Sequence, residues 1–533
     1  MNFRTRFAAP ALSVAVLALA GACNPDFNVT NPNAPDVARA ISTPSDVRQL
    51  IGSSFNSWYL NMQGSGEPVP GLAVGVMADN MTMSFGNFGA RFNGQEPRLA
   101  YNNSSAAGDG RVASSPYDGM YGALGAANDG LGAIGRGIRA AISPSSPDET
   151  DQMKALAYFI QGATLGFESE VFDKGFVVDE TTTGAPALQP YTAISAAALT
   201  KYDKAIAAAA GKTWTLATEF TPGMTLTADK FGRMANTMAA RQLAYTPRNA
   251  TENAAVNWAK VLTYANAGIS TGATPFNLTI QGDGGNNWYD LLKGYVDLES
   301  WVRVDQRVIQ EADQTQPLEY SSSTPPARAR PADLRFPQGT PDANGDIKED
   351  GRDFWFNKSI PFSVARGVYF FSQWSHSRYV DGSYEVDAAF LTNVPFVLAA
   401  ENDLLIAEAL IRTGGDKARA ATLINKTHVG RGGLAPVTAA TSTAELLGAI
   451  FYERDIELFG TGAGQAWFDR RRIDASVTYN GLAIGNIWAA KGGSNLQQGT
   501  PRHLPVPAKE LETLGMKVYT YGGASPNPVF PEQ

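Results

Sequence analysis

Apolar residues recur every three or four positions through much of this chain, the spacing of helices that bury one face. Thr43–Tyr59 opens on Thr43-Pro44, a cap followed by a first-turn proline, and is apolar at Val47, Leu50, Ile51, Phe55 and Trp58. The same period predicts helices over Tyr117–Ile138, Asp148–Phe172, Ala193–Ala210, Ala228–Tyr245 and Ala254–Ile269. Val394–Thr413 starts at Pro395, stops at Gly414-Gly415 and is followed at once by Asp416–Thr427; Ser442–Phe459 is the last strong pattern. Short Ala/Leu/Tyr-rich helices in tandem pairs predict stacked hairpins of the tetratricopeptide type, although no strict repeat length is kept. The expected fold is therefore mainly α, a tetratricopeptide-like helix-pair superhelix with long irregular loops and a few short strands. Leu60–Pro116, Ser270–Asn287, Gln314–Asp353 and Arg470–Pro505 carry no helical period. Loops of that length in a compact domain are where function is sought.

Composition narrows the function classes. The chain has 533 residues, 44% hydrophobic and 18% charged, with 53 Gly and 31 Pro, which suits a loop-rich globular protein. A net charge of −8 opposes nucleic-acid binding, which needs a basic face. One cysteine excludes an intrachain disulfide and a thiolate metal cage, and three histidines make a multi-histidine metal site a poor reading.

That single cysteine sits in an address. Arg4 and Arg6 precede the uncharged run Ala8–Ala22, too short for a spanning helix of about 20 residues. The run ends in Leu19-Ala20-Gly21-Ala22-Cys23, which resembles the lipobox of bacterial lipoproteins, with Ala20 where a larger aliphatic is usual. The resemblance implies cleavage before Cys23 and its lipidation, which would hold the protein on a membrane. The expected organisation is a signal at 1–22, a tether at 23–36 and one domain at 37–533. That domain divides into helix pairs (37–270), a loop-rich ligand-side region (271–393) and C-terminal helices with a closing segment (394–533).

The C-terminal part carries an ordered set of short motifs. Leu404-Leu405-Ile406-Ala407-Glu408-Ala409 is followed by Gly414-Gly415-Asp416 and Arg431-Gly432-Gly433-Leu434. Then come Glu453-Arg454-Asp455-Ile456-Glu457-Leu458-Phe459, Trp467-Phe468-Asp469-Arg470-Arg471-Arg472, and His503-Leu504-Pro505-Val506-Pro507 ahead of Glu510-Leu511. This order resembles the SusD/RagB family of outer-membrane nutrient-binding lipoproteins. Asn31-Pro32-Asn33, Tyr117, Tyr121, Ala127-Asn128 and Val304-Asp305-Gln306-Arg307-Val308 agree with it upstream. The resemblance implies a SusD-like, lipid-anchored surface protein of the outer membrane that caps a TonB-dependent transporter of the SusC type. It would help that transporter capture glycan or peptide, and would not be an enzyme. On the residues alone, Glu453, Arg454 and Glu457 read as an ion-paired staple that Trp467 and the Asp469/Arg472 pair lock against the closing segment.

Sugar rings offer apolar C–H faces, so aromatic residues beside planar polar groups are the candidates for glycan contact. Asn286-Asn287-Trp288-Tyr289-Asp290 combines both, and the resemblance places the region after the third helix pair on the ligand surface. Asn287, Trp288 and Tyr289 are therefore candidates, with capping of a helix start as the competing role. Asp79-Asn80, Phe85, Phe88 and Arg91, with Asn102 and Asn103, occupy the excursion after the first helix, where the resemblance also implies ligand residues. Trp374 and Tyr379 are weaker candidates within a short buried strand. Trp301 falls at helical spacing with Val304 and Val308, which predicts core packing. Asp342, Asn344, Asp346 and Asp350, continuing to Asp353, resemble a calcium loop with its glycine misplaced; a solvated acidic turn is the competing reading. No other cofactor is expected.

No Ser/His/Asp or Cys/His signature accompanies His376, His428 and His503. A nutrient-binding lipoprotein, glycan before peptide, leads the functional readings. A tetratricopeptide-like adaptor that binds only protein partners is the alternative, and an extracellular glycoside hydrolase rests only on the abundance of acids.

Overall fold

Thr43 closes the first helix as the sequence predicts: its hydroxyl accepts the Asp46 amide while the Asp46 carboxylate accepts the Thr43 amide (2.8 Å), and Pro44 occupies the first turn. The computed structural model describes residues 41–64, 69–83, 93–94, 98–106, 111–320, 324–349, 352–360, 372–379 and 391–523. Cys23, Arg91 and Asp350, like Phe85 and Phe88, lie outside them. From Thr43 onward the chain forms one compact unit.

The helical part runs through α1 (Pro44–Gln63), α2 (Pro70–Met77), α3 (Arg111–Gly135), α4 (Thr150–Val171), α5 (Tyr191–Ala209) and α6 (Ala228–Tyr245). Consecutive members pack side by side, α3 on α4, α4 on α5 and α5 on α6, with α1 against α3 and α4. This is the predicted mainly α, tetratricopeptide-like architecture. Its core is aromatic: Trp58 of α1 meets Phe55, Phe159 and Phe396 at centroid distances of 5.3, 5.6 and 6.0 Å.

Three boundaries differ from the periodicity, each for a local reason. α3 reaches back past Pro116 to Arg111, since one missing amide near a helix start costs little beside the face it buries. The predicted helix at 254–269 is two, α7 (Ala250–Ala254) and α8 (Trp258–Asn266), because Asn249 caps the first and Asn257 the second. The predicted start at Pro395 is a strand. β8 (Asn393–Val397) pairs antiparallel with β4 (Leu278–Gln281), and Pro395 falls opposite Thr279 beside an irregularity in register that accommodates its missing N–H. α11 (Ala399–Arg412) begins only afterwards, and α12 (Lys417–His428) and α13 (Thr443–Ile456) pack on it.

α13 is buried all round, and it is charged. Consecutive helical residues point about 100° apart, so Glu453, Arg454 and Asp455 face three different neighbours. Glu453 takes a two-point contact from Arg335 (2.8 and 2.9 Å) and one from His428 (3.0 Å), while Arg335 also holds Asp333 (2.6 Å). Arg454 reaches Glu408 of α11 (2.7 Å) and Asp469 of α14 (Gln465–Arg470) (3.2 Å). Asp455 accepts Arg470 (2.8 Å) and faces Arg307 (3.4 Å) of α10 (Gln306–Ala312), which follows the short α9 (Leu291–Val296). One turn on, Glu457 meets Arg335, Arg378 and Arg431. The staple predicted from the motif is thus the hub of the C-terminal half.

Burial alone would raise the Glu453 carboxyl, but Arg335 and His428 bring it down to about 2. A folded-state pKa below the unfolded one adds stability above about pH 4.5 and loses it as pH falls toward 2. The gap in melting temperature between the wild type and Glu453→Gln is therefore expected to narrow as pH drops from 6 to 3. Circular-dichroism melts across that range check it; a gap that stays constant would contradict the assignment.

Candidate ligand surface

Two loop regions that lie far apart in sequence are joined by a short antiparallel sheet. β1 (Met81–Thr82) pairs with β5 (Arg303–Val304), Met81 opposite Val304 and Thr82 opposite Arg303, and the Asp305 amide donates to the Asn80 carbonyl (3.0 Å). The excursion after the first helix therefore meets the loop-rich region at 301–305. β6 (Phe354–Phe356) and β7 (Trp374–His376) form a second sheet beside it, tied by the Ser372 hydroxyl to the Val304 carbonyl (2.5 Å).

The residues predicted as contacts separate into buried anchors and exposed groups. Trp288 is only 9% exposed and tilts against Phe55 and Tyr59 of α1 at 6.3 and 6.0 Å. Asp290 is buried, accepts Tyr59 (3.1 Å) and Gln63 (2.8 Å), and caps α9 through the Lys293 amide (2.8 Å), the competing role foreseen for this segment. On either side of Trp288 the loop carries Asn287, exposed, and Tyr289, half-buried; the Asn287 carbonyl accepts Asn56 Nδ2 (2.6 Å).

Asp79 is also buried, at a positive φ of 57°, where it pairs with Arg98 and accepts Gln497 Nε2 (3.1 Å). Asn80 points to Asp455, and Asn103 bridges the Val506 and Tyr519 carbonyls (both 2.9 Å). These polar groups close the fold; Asn102 alone of this set is exposed, where it accepts the Ser104 amide (3.1 Å). Trp374 is 3% exposed, wedged edge-on against Phe336 and Phe356, and presents no open ring face.

The Asp342 segment is a closed polar turn. Asp342 Oδ1 accepts the Asn344 and Asp346 amides (2.8 and 2.9 Å), and Asp346 Oδ1 accepts the Lys358 amide (2.8 Å). Asp353 turns away to Arg431 (2.7 Å). Among the described residues, which do not include Asp350, no group of three His, Cys, Asp or Glu side chains is placed to hold a metal ion.

An aromatic surface does form, from residues the helical period disguised. Trp301 is half-buried while Val304 and Val308 are fully buried, because β5 intervenes and α10 starts only at Gln306. Its indole lies 5.1 Å from the Tyr295 ring at 42°. Glu299 beside it pairs with Lys348 (2.9 Å), whose ammonium sits 5.3 Å over Trp355, and the Glu299 carbonyl accepts Arg303 Nε (2.7 Å). Arg303 also donates to the Ser359 carbonyl (3.2 Å). The result is an aromatic pair edged by an acid–base pair on a backbone held by β1 and β5. An alternating Tyr, Glu and Trp within one turn-rich stretch was the available signal; reading through it at helical spacing hid it.

Comparison with known proteins places this arrangement. Residues 372–514 match the sequence profile of the SusD family. That segment carries the sequence signature of the SusD family. Solved SusD-like proteins share the architecture of the chain at low identity. A SusD superfamily protein from Parabacteroides distasonis is 13% identical, with a TM-score of 0.60 over 87% of this chain and 96% of that one. Surface glycan-binding protein A from Bacteroides uniformis is 14% identical, with a TM-score of 0.58 over 89% and 98%. A SusD-like carbohydrate-binding protein from Bacteroides vulgatus is 14% identical, with a TM-score of 0.51 over 81% and 83%. At such identities the likeness concerns the fold. A search of curated proteins found no match. The SusD profile spans α11, α12, α13 and α14, the helices that carry the buried ion network. Among the described residues, no helix is long and apolar enough to cross a membrane.

Proposed function

We propose that this SusD-family protein binds oligosaccharide, without cleaving it, on the surface formed by Tyr295 and Trp301. The observation that carries the reading is the half-buried aromatic pair itself beside an acid–base pair: aromatic rings suit the C–H face of a sugar, and Glu299 and Lys348 alongside suit its hydroxyls. Asn287 and Tyr289, on the loop leading into α9, extend the same polar-aromatic character. Relatives named for glycan or carbohydrate binding support this class of ligand over peptide. The pairing of Glu299 with Lys348 suits positioning rather than bond cleavage.

Lipidation at Cys23 would hold the protein at the outer membrane, and a SusC-type TonB-dependent transporter would receive the bound ligand. Native-gel retardation on a panel of soluble polysaccharides tests the binding. At least one neutral glycan should slow the wild type, and Trp301→Ala should weaken that interaction about tenfold or more without lowering the melting temperature. Retention of a barrel transporter as sole partner, with no glycan retarding the protein, would instead favour the protein-adaptor reading.

A further inference from the structure

A cavity of about 520 Å³ lies between Tyr191 and Arg248–Glu252 on one wall and the irregular loop 492–503, with Tyr521–Gly523, on the other. It shares no lining residue with the aromatic surface. Both walls are fixed. Arg471 donates to the Tyr245, Pro247 and Arg502 carbonyls (2.7, 3.2 and 3.1 Å), joining one wall to the other. From behind, Asp79 holds Gln497 and Arg98 Nε holds Thr500 (3.2 Å). Gly499 sits at φ +84°, packed against the Gly523 backbone with the Gly523 amide on its carbonyl (2.9 Å), an approach that leaves no room for a side chain.

The charge on these walls is unbalanced. Among the described residues, Glu252 is the one carboxylate lining the cavity, and its oxygens are taken by the Tyr191 hydroxyl (2.8 Å), the Arg248 amide (2.7 Å) and Asn249 Nδ2 (2.7 Å). Two guanidiniums line it as well. Arg248 is 3% exposed, lies 4.6 Å over the Tyr191 ring and spends its two Nη groups on the Ser169, Glu170 and Phe172 carbonyls. Its Nε donates to no protein group. Arg502, at the exposed rim, makes one hydrogen bond, to the Arg248 carbonyl (3.1 Å). Burial pulls Arg248 down to about 10, still charged at neutral pH, and burial together with the two guanidiniums holds His503 down at about 3, so it stays neutral.

A rigid cavity with surplus fixed positive charge and an unspent buried donor selects an anion. The remaining lining mixes glycine backbone, Leu496 and Pro501 with polar side chains, among them Asn249, Gln498 and Thr500. We infer that the cavity binds a sugar acid, its carboxylate received by Arg248 Nε and the Arg502 guanidinium and its hydroxyls by Asn249 and Gln498.

Calorimetric titration of the full chain with D-glucuronic acid, D-glucose and dialanine at low salt tests this. Glucuronate should bind one per chain, about tenfold or more tighter than glucose, and Arg502→Gln should weaken it about tenfold. Arg502 is exposed, so this variant should fold, with its melting temperature as the check. Equal binding of glucose, binding of dialanine as tight as that of glucuronate, no glucuronate binding at all, or no change in Arg502→Gln would each overturn the assignment. Repeating the titration on Trp301→Ala separates this site from the aromatic surface: loss of glucuronate there would move the binding to that surface and overturn the cavity as its site.

Discussion

Glu408→Ala should leave the protein unable to fold stably. Glu408 is fully buried and receives Arg472 at two points (2.7 and 2.9 Å), Arg454 (2.7 Å) and Arg412 (2.7 Å). Burial by itself would raise its pKa, yet Arg472, Arg454 and Arg412 hold the carboxyl well below the usual range, so the group is an anion in the core. Truncation leaves Arg454 and Arg472 sharing Asp469, and Arg412 with Asp474 alone. Removing one member of such a buried set costs about 3–5 kcal/mol, because the remaining charges stay dehydrated without compensation. That is a large part of the 5–15 kcal/mol by which folded proteins are stable. Urea denaturation and soluble yield measure it. A transition midpoint equal to that of the wild type would show that water or rearranged carboxylates replace Glu408.

Trp467→Ala carries the next largest effect, about 3–5 kcal/mol, from a fully buried ring with no route for the surroundings to collapse. Its consequence is also directional. The indole Nε1 donates to the Pro501 carbonyl (2.9 Å), and Arg471 lies 4.7 Å over the ring while fixing the Arg502 carbonyl. Loss of the indole should therefore loosen the 492–503 loop before the helix pairs of the N-terminal half. Limited proteolysis should cut the variant first within that loop. Cleavage first in the α4–α5 region would argue that Trp467 supports the whole fold uniformly instead.

Both predictions start from motifs visible in the chain, and their partners show where sequence reading stops. Periodicity and caps placed α1, α4, α5, α6, α12 and α13 to within a few residues, because each depends on neighbours three or four positions away and, in α1, α6, α12 and α13, on a capping side chain at its own start. Where two signals competed, the local one misled: Val394 to Leu398 fits an apolar helix start, but β4 stands ready to pair with it, and that strand comes from more than a hundred positions earlier. The ligand surface was legible only in part. Of the candidates in the 271–393 region, Asn287 is exposed and Tyr289 half-buried, yet Trp288 and Trp374 are drawn inward, while Trp301 is half-buried.

By itself, then, the sequence determined the helical architecture and the charged motif of α13, each written in residues close together along the chain. Only the tertiary structure decided that Glu453 answers to Arg335, that Glu408 gathers three arginines, and that Trp288 packs against α1. Those outcomes depend on which distant segments exclude water from a given side chain. Trp288 and Trp301 lie close together along the chain, yet only Trp288 is buried, because the Phe55 and Tyr59 rings of α1 lie against it.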